Sequence, residues 1–264
     1  MRNVIYYFTG TGNSLDAASR IAKAIGDCEL VEIAAAIAEM KRSGMSEIAA
    51  EPNVERIGIA YPVYYYGLPA IVHEFLSLLR MGGNPYVYCV ATRGGASGYG
   101  SFAQASGYLR RIGKKLDAGF SVLMPDNYPV LYNPADAETA KKTLEAASNE
   151  IEAIAATVAE KRPFREGWQN PLAATLVSRP VNAWFVSGVR ASDRKFVVSG
   201  SCVSCGKCVR ACGVGNISLE GGKPVWHGRC EQCFGCYHAC PAHAIEFGKS
   251  TIGKRQYLNP VLRA

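Results

Sequence analysis

Over the first half of the chain, short apolar runs alternate with stretches in which apolar residues return every three or four positions. The runs at residues 3–8, 28–33, 56–60, 86–91 and 120–124 are the right length for strands. Between the first two, Leu15, Ala18, Ala22 and Ile25 mark one face of a helix, and residues 69–80 and 100–112 carry further helical patterns. Strand and helix in alternation predict an α/β domain: a doubly wound, five-stranded parallel sheet covered on both faces. A long helix should follow, with Asn133-Pro134 as its start signal, Ala137, Ala140, Leu144, Ala147, Ile151, Ile154 and Val158 as its buried stripe, and Pro163 as its stop. Residues 164–192 show no clear period and read as a bridge. Beyond them, residues 216–219 and 224–226 predict a hairpin about Gly221-Gly222, and residues 245–247 a last short strand. The expected division is 1–163, 164–192 and 193–264, the last a small α+β unit.

That small unit carries the densest chemistry. Cys202, Cys205, Cys208 and Cys212 repeat, 28 residues on, as Cys230, Cys233, Cys236 and Cys240, followed by Pro241. Both runs read C-x2-C-x2-C-x3-C, the spacing that holds a pair of [4Fe–4S] clusters, with the fourth thiolate of each run serving the other cluster. The expected ligand sets are therefore Cys202, Cys205, Cys208 and Cys240, and Cys230, Cys233, Cys236 and Cys212. Structural zinc prefers two separated ligand pairs, and disulfides an oxidising compartment. Cys28 and Cys89 fall in apolar strands and read as inert core residues. No Ser/His/Asp or paired-carboxylate arrangement emerges, so no catalytic residue is assigned.

The turn between the first strand and the first helix is Thr9-Gly10-Thr11-Gly12-Asn13-Ser14. Small residues, three hydroxyls and a helix N-terminus make a phosphate cradle. A Walker loop needs a lysine after the last glycine, and a dinucleotide fingerprint needs a third glycine where Leu15 stands. A lone phosphate monoester fits better.

An apolar fraction of 48% and a charged fraction of 19% are those of an ordinary globular protein. The formal net charge of +7 suggests nucleic acid, but cluster thiolates and a bound phosphate would cancel most of it, so none is expected. Met1-Arg2-Asn3 leads straight into strand-like sequence, and the longest apolar run, about residues 181–189, lies between Arg179 and Arg190. No leader and no membrane span are expected, and the reducing cytoplasm is the expected compartment.

Tyr7-Phe8-Thr9-Gly10-Thr11-Gly12-Asn13-Ser14 resembles the phosphate loop of flavodoxins, and with the tandem cysteine motif the chain resembles the flavodoxin–ferredoxin fusion proteins of anaerobes. The likeness runs from residue 1 to about 124 and again over residues 197–247. It implies a flavodoxin-like fold, FMN, and a two-cluster ferredoxin-like unit. It also implies that the flavin ring lies between Pro62, Val63, Tyr64, Tyr65 and Gly67 on one loop and Thr92, Arg93, Gly94, Gly95, Gly98 and Tyr99 on the other. Tyr64, Tyr65 and Tyr99 are candidates to stack on the ring, and Arg93 either to steady a reduced flavin or to face solvent. Two functions stay open. One is a carrier relaying single electrons between clusters and flavin and exchanging them with a redox protein; the other is a reductase of a small organic acceptor. Flavodoxin-like analogy leaves a homodimer open as well.

Overall fold

The computed structural model describes residues 3–95, 99–165 and 171–262. β1 (Asn3–Tyr7) leads through the Thr9–Gly12 turn into α1 (Asn13–Ile25), and β2 (Cys28–Glu32) returns beside β1. α2 (Ile33–Arg42) and the outlying β3 (Ile48–Ala50) precede β4 (Arg56–Pro62), which pairs on the other side of β1. α3 (Ala70–Leu78) runs into β5 (Leu79–Met81), which pairs with β3. β6 (Tyr86–Arg93), α4 (Tyr99–Arg111), β7 (Ala118–Leu123), α5 (Ala137–Ala159) and the two-residue β8 (Phe164–Arg165) complete the sheet. Its order is β2-β1-β4-β6-β7-β8, every pair parallel. The five long strands follow the flavodoxin-like doubly wound order, in which the chain reverses direction beside β1 and opens a crevice at the strand ends.

Alternation along the strands supplies both cores. On β6, Tyr88 and Val90 face α1 and α5, while Val87, Cys89 and Ala91 face α2, α3 and α4. Cys89 is fully buried, as an inert core thiol should be, whereas Cys28 at the sheet edge is only half-buried.

Several features differ from expectation. β8 adds a sixth strand, α2 and β3 occupy a stretch left unassigned, and β5 replaces the end of the helix expected over residues 69–80. The long helix starts later than Asn133-Pro134: Asp136 is its cap, accepting from the Thr139 N–H at 2.8 Å. The bridge contains a 19-residue helix, α6 (Pro171–Val189), whose interior Pro180 breaks the sequence pattern.

A 3-10 turn (Arg190–Lys195) leads to β9 (Phe196–Val198), α7 (Lys207–Arg210), the hairpin β10 (Ile217–Glu220) and β11 (Lys223–Trp226), α8 (Gly235–His238) and β12 (Ile245–Phe247). β12 closes antiparallel on β9. Gly221 and Gly222, at φ 54° and 78°, make the expected tight hairpin turn. Phe196, Ile217, Phe234, Tyr237, Ala244, Ile245 and Phe247 form this unit's own core. Among the described residues, no helix is long and apolar enough to cross a membrane.

Candidate functional site

A cavity of about 550 Å³ lies at the C-terminal ends of β1, β4, β6 and β7. Its floor is the turn after β1. Gly12, at φ 96°, is the N-cap of α1 and no side chain caps the helix, so the first-turn N–H groups are left for an anion. The loop is braced from within: Thr9 Oγ1 accepts the Gly12 N–H at 3.0 Å, and Asn127 donates to Thr11 Oγ1. Ser14 Oγ lies 2.7 Å from Thr92 Oγ1. Asn13 lines the cavity, yet its amide is engaged behind the loop, donating to Pro125 O at 3.1 Å and accepting from Tyr257 Oη at 2.7 Å. Gly12 does not line the cavity. A side chain there would meet Asn259 and Leu262 at 2.9 Å.

One side wall is the turn after β4. Tyr64 and Gly67 exchange both backbone hydrogen bonds at 3.0 Å, with Tyr65 and Tyr66 left-handed at φ 46° and 63°. Two non-glycine residues in that region cost of order 1–3 kcal/mol each and persist only when held. Asn182 of α6 does the holding. It is buried, donates to Tyr64 O at 2.9 Å and Leu68 O at 3.1 Å, and its oxygen meets Gln104 Nε2 at 3.0 Å and His73 Nε2 at 3.1 Å. Gly67 backs onto Asn182 and does not line the cavity. Pro62, Val63, Tyr64 and Tyr65 do. Tyr65 stacks on Phe185 at 4.4 Å, so one face of its ring is taken.

The opposite wall holds Thr92, Arg93, Gly94 and Gly95. Arg93 braces its own loop, donating to Ser121 Oγ at 3.0 Å and Gly95 O at 2.8 Å. Gly98 and the Tyr99 side chain lie outside the described residues.

The remaining lining was not anticipated: residues 124–128, Leu131 and Tyr132 after β7, Phe185 from α6, and Gln232 and Cys233 from the second cysteine run. A chain of polar contacts crosses from wall to cysteine run. Tyr65 Oη and Tyr128 Oη are 3.2 Å apart, and Tyr128 donates to Gln232 Oε1 at 2.7 Å. Burial, then the neighbouring Tyr65, raises the Tyr128 phenol, so it stays a neutral donor.

The eight thiols fall into two crossed sets. Cys202, Cys205, Cys208 and Cys240 line one small cavity. Cys212 lies near enough to Cys230, Cys233 and Cys236 for its charge to add to the burial that raises all three thiols, Cys230 to about 11. All eight are free of disulfides. Backbone N–H groups of Asn216 and Ala244 point at the Cys212 and Cys240 sulfurs, both at 3.2 Å. Among the described residues, no group of three or more His, Cys, Asp or Glu side chains is placed to hold a metal ion. His238 is buried beside the second set, held neutral by a pKa lowered to about 4, and donates to Asn127 O at 2.8 Å.

The turn after β1 and the second cysteine run touch. A side chain at Gly10 would come within 2.7 Å of Cys233, and one at Gly235 within 2.8 Å of Gly10 O.

No protein-family profile and no curated protein matches the chain. Among solved structures, it is similar to a candidate flavoprotein from Bacteroides uniformis, at 21% identity over 55% of this chain and 97% of that one (TM-score 0.37). It is similar to the Trp repressor binding protein of Bacillus subtilis, at 18% over 56% and 96% (TM-score 0.36). It is also similar to an FMN-dependent NADH-azoreductase from Bacillus anthracis solved with FMN, at 10% over 60% and 100% (TM-score 0.36). With scores this low, the fold assignment rests on the strand order itself.

Proposed function

We propose that the chain is an electron-transfer iron–sulfur flavoprotein, holding FMN in the large cavity and a [4Fe–4S] cluster in each crossed thiol set, and exchanging electrons with a protein redox partner. The observation that carries this reading is Cys233: one residue of the second thiol set lines the cavity whose floor is the phosphate turn. The residues suit both groups. An uncapped helix N-terminus with hydroxyls around it suits a phosphate, and two runs of thiols at C-x2-C-x2-C-x3-C spacing suit a pair of cubanes. When bound, the clusters supply one-electron and the flavin one- or two-electron chemistry. The chain's own part is to hold the phosphate at residues 9–14 and to border the ring with Tyr64 and Tyr65. Burial of Cys230 and Cys236 keeps water from those two thiols, while Cys233 faces the cavity.

The test is iron, sulfide and flavin quantitation on one anaerobically purified sample. About eight irons and one FMN per chain are expected. Eight irons without flavin would leave only a cluster protein, and zinc in place of iron would end the redox reading.

One observation favours the reductase as a second reading. Tyr66, Leu131 and Tyr132 at the cavity mouth are 50%, 61% and 56% exposed, so a small apolar acceptor has a way in. Anaerobic reoxidation of the reduced flavin by small organic acceptors, without any protein partner, separates the two.

A further inference from the structure

After β12 the chain turns back across the molecule and lies against the outside of the phosphate turn. Asn259 donates its backbone N–H to Thr11 O at 2.8 Å. Tyr257 Oη and Asn259 Nδ2 both donate to Asn13 Oδ1, at 2.7 and 3.2 Å. Asn13 in turn donates to Pro125 O, so one buried amide ties this strap to both the phosphate turn and the loop after β7. The strap fastens that loop again further along, where Lys254 Nζ donates to Pro129 O at 2.6 Å and Arg255 Nε to Pro134 O at 2.8 Å. At its start it is anchored on the cysteine unit: Gln256 Nε2 donates to Tyr237 O at 2.7 Å and Cys240 O at 2.9 Å, and the Tyr257 N–H donates to His238 Nδ1 at 3.1 Å. Tyr257 and Asn259 are buried.

We infer that this strap is a working part of the phosphate site: Tyr257 and Asn259 are positioning residues that fix the turn at Thr11–Asn13, and through it the affinity for a flavin phosphate. The inference rests on the flavin reading above. A turn whose N–H groups must converge on one anion loses affinity when it is free to relax, because the ordering is then done by the ligand. Asn13 cannot hold the turn alone. Its side-chain oxygen is buried with two donors from the strap, and removing either loosens the amide that spans turn and loop.

The test compares Tyr257→Phe and Asn259→Ala with the unaltered chain, purified anaerobically with clusters in place and flavin removed. FMN and riboflavin, which lacks the phosphate, are titrated separately, and the 31P resonance of bound FMN is recorded. Each variant should weaken FMN about 3- to 10-fold, the range for one hydrogen bond. Riboflavin affinity and iron content should hold, and the 31P resonance should move. Unchanged FMN affinity overturns the role of the strap and leaves the flavin reading standing. Equal losses for both flavins also overturn it, since the strap would then be general packing. An unaltered chain that binds neither flavin defeats the flavin reading itself.

Discussion

In the first cysteine run Ser204 and Gly206 are left-handed, at φ 54° and 70°; in the second, Gln232 and Phe234 hold the same offsets at φ 53° and 57°. α7 and α8 start at matching positions, and Gly215 and His243, each three residues past its fourth cysteine, are left-handed too. The backbones are copies. The surroundings are opposites. Where the first run has Val203, 65% exposed, the second has Glu231, 1% exposed and 3.1 Å from Arg190. Where the first has Gly206, the second has Phe234, buried among Tyr128, Phe196 and Phe247. Cys205 is exposed, while Cys233 is pressed against the phosphate turn. Spacing sets how four thiols gather, and the residues between them decide whether the gathering faces solvent or the cavity.

The widest gap between the runs should appear on replacing equivalent cysteines. Cys233→Ser and Cys205→Ser should each cost about half the iron, but only Cys233→Ser should also deplete flavin, as read from iron assay and flavin absorbance on one sample. Next comes the buried acid. Arg190→Ala leaves Glu231 unpaired and should destabilise by about 3–5 kcal/mol. This is best measured by urea unfolding at pH 10, about three pH units above the value of about 7 to which burial raises Glu231. Protonation of the orphaned acid caps the loss at about 1.4 kcal/mol per pH unit above that value. Val203→Glu should stay within about 0.5 kcal/mol. Exchanging the left-handed residues is smaller. Phe234→Gly relieves the backbone but empties an aromatic cluster, for a net loss of about 2–4 kcal/mol. Gly206→Ala should cost about 1–2 kcal/mol.

Much of this was legible beforehand, and the failures have physical causes. The four inner strands β1, β4, β6 and β7 announced themselves because each is buried on both faces, and the thiol sets because ligand spacing is local in sequence. Asn182, Phe185 and the loop of residues 124–132 act from afar, and nothing in their neighbourhoods marks them. Asn182 sits in a helix that carries Pro180 inside it and whose apolar positions do not repeat cleanly. Gly12 and Gly67 were read as touching a ligand, when each instead makes room for another part of the chain, Asn259 and Asn182 respectively. A glycine reports close approach without saying what approaches.

The smallest effect probes the tyrosine turn, which has no counterpart near the exposed run. His73 supports Asn182, and burial lowers its pKa below the usual 6.5. The unfolded chain therefore takes up that proton first, and stability falls as pH drops below about 6.5, by at most about 1.4 kcal/mol per pH unit. His73→Gln should remove that slope from urea midpoints measured between pH 7 and 5.

The bond between Tyr257 and Asn13 joins residues 244 positions apart. During synthesis the turn at Thr11–Asn13 emerges 244 residues ahead of the tyrosine that braces it from outside. Closing so distant a contact is slow and entropically late. A nascent chain thus presents a sheet whose Thr11–Asn13 turn still lacks its outer brace.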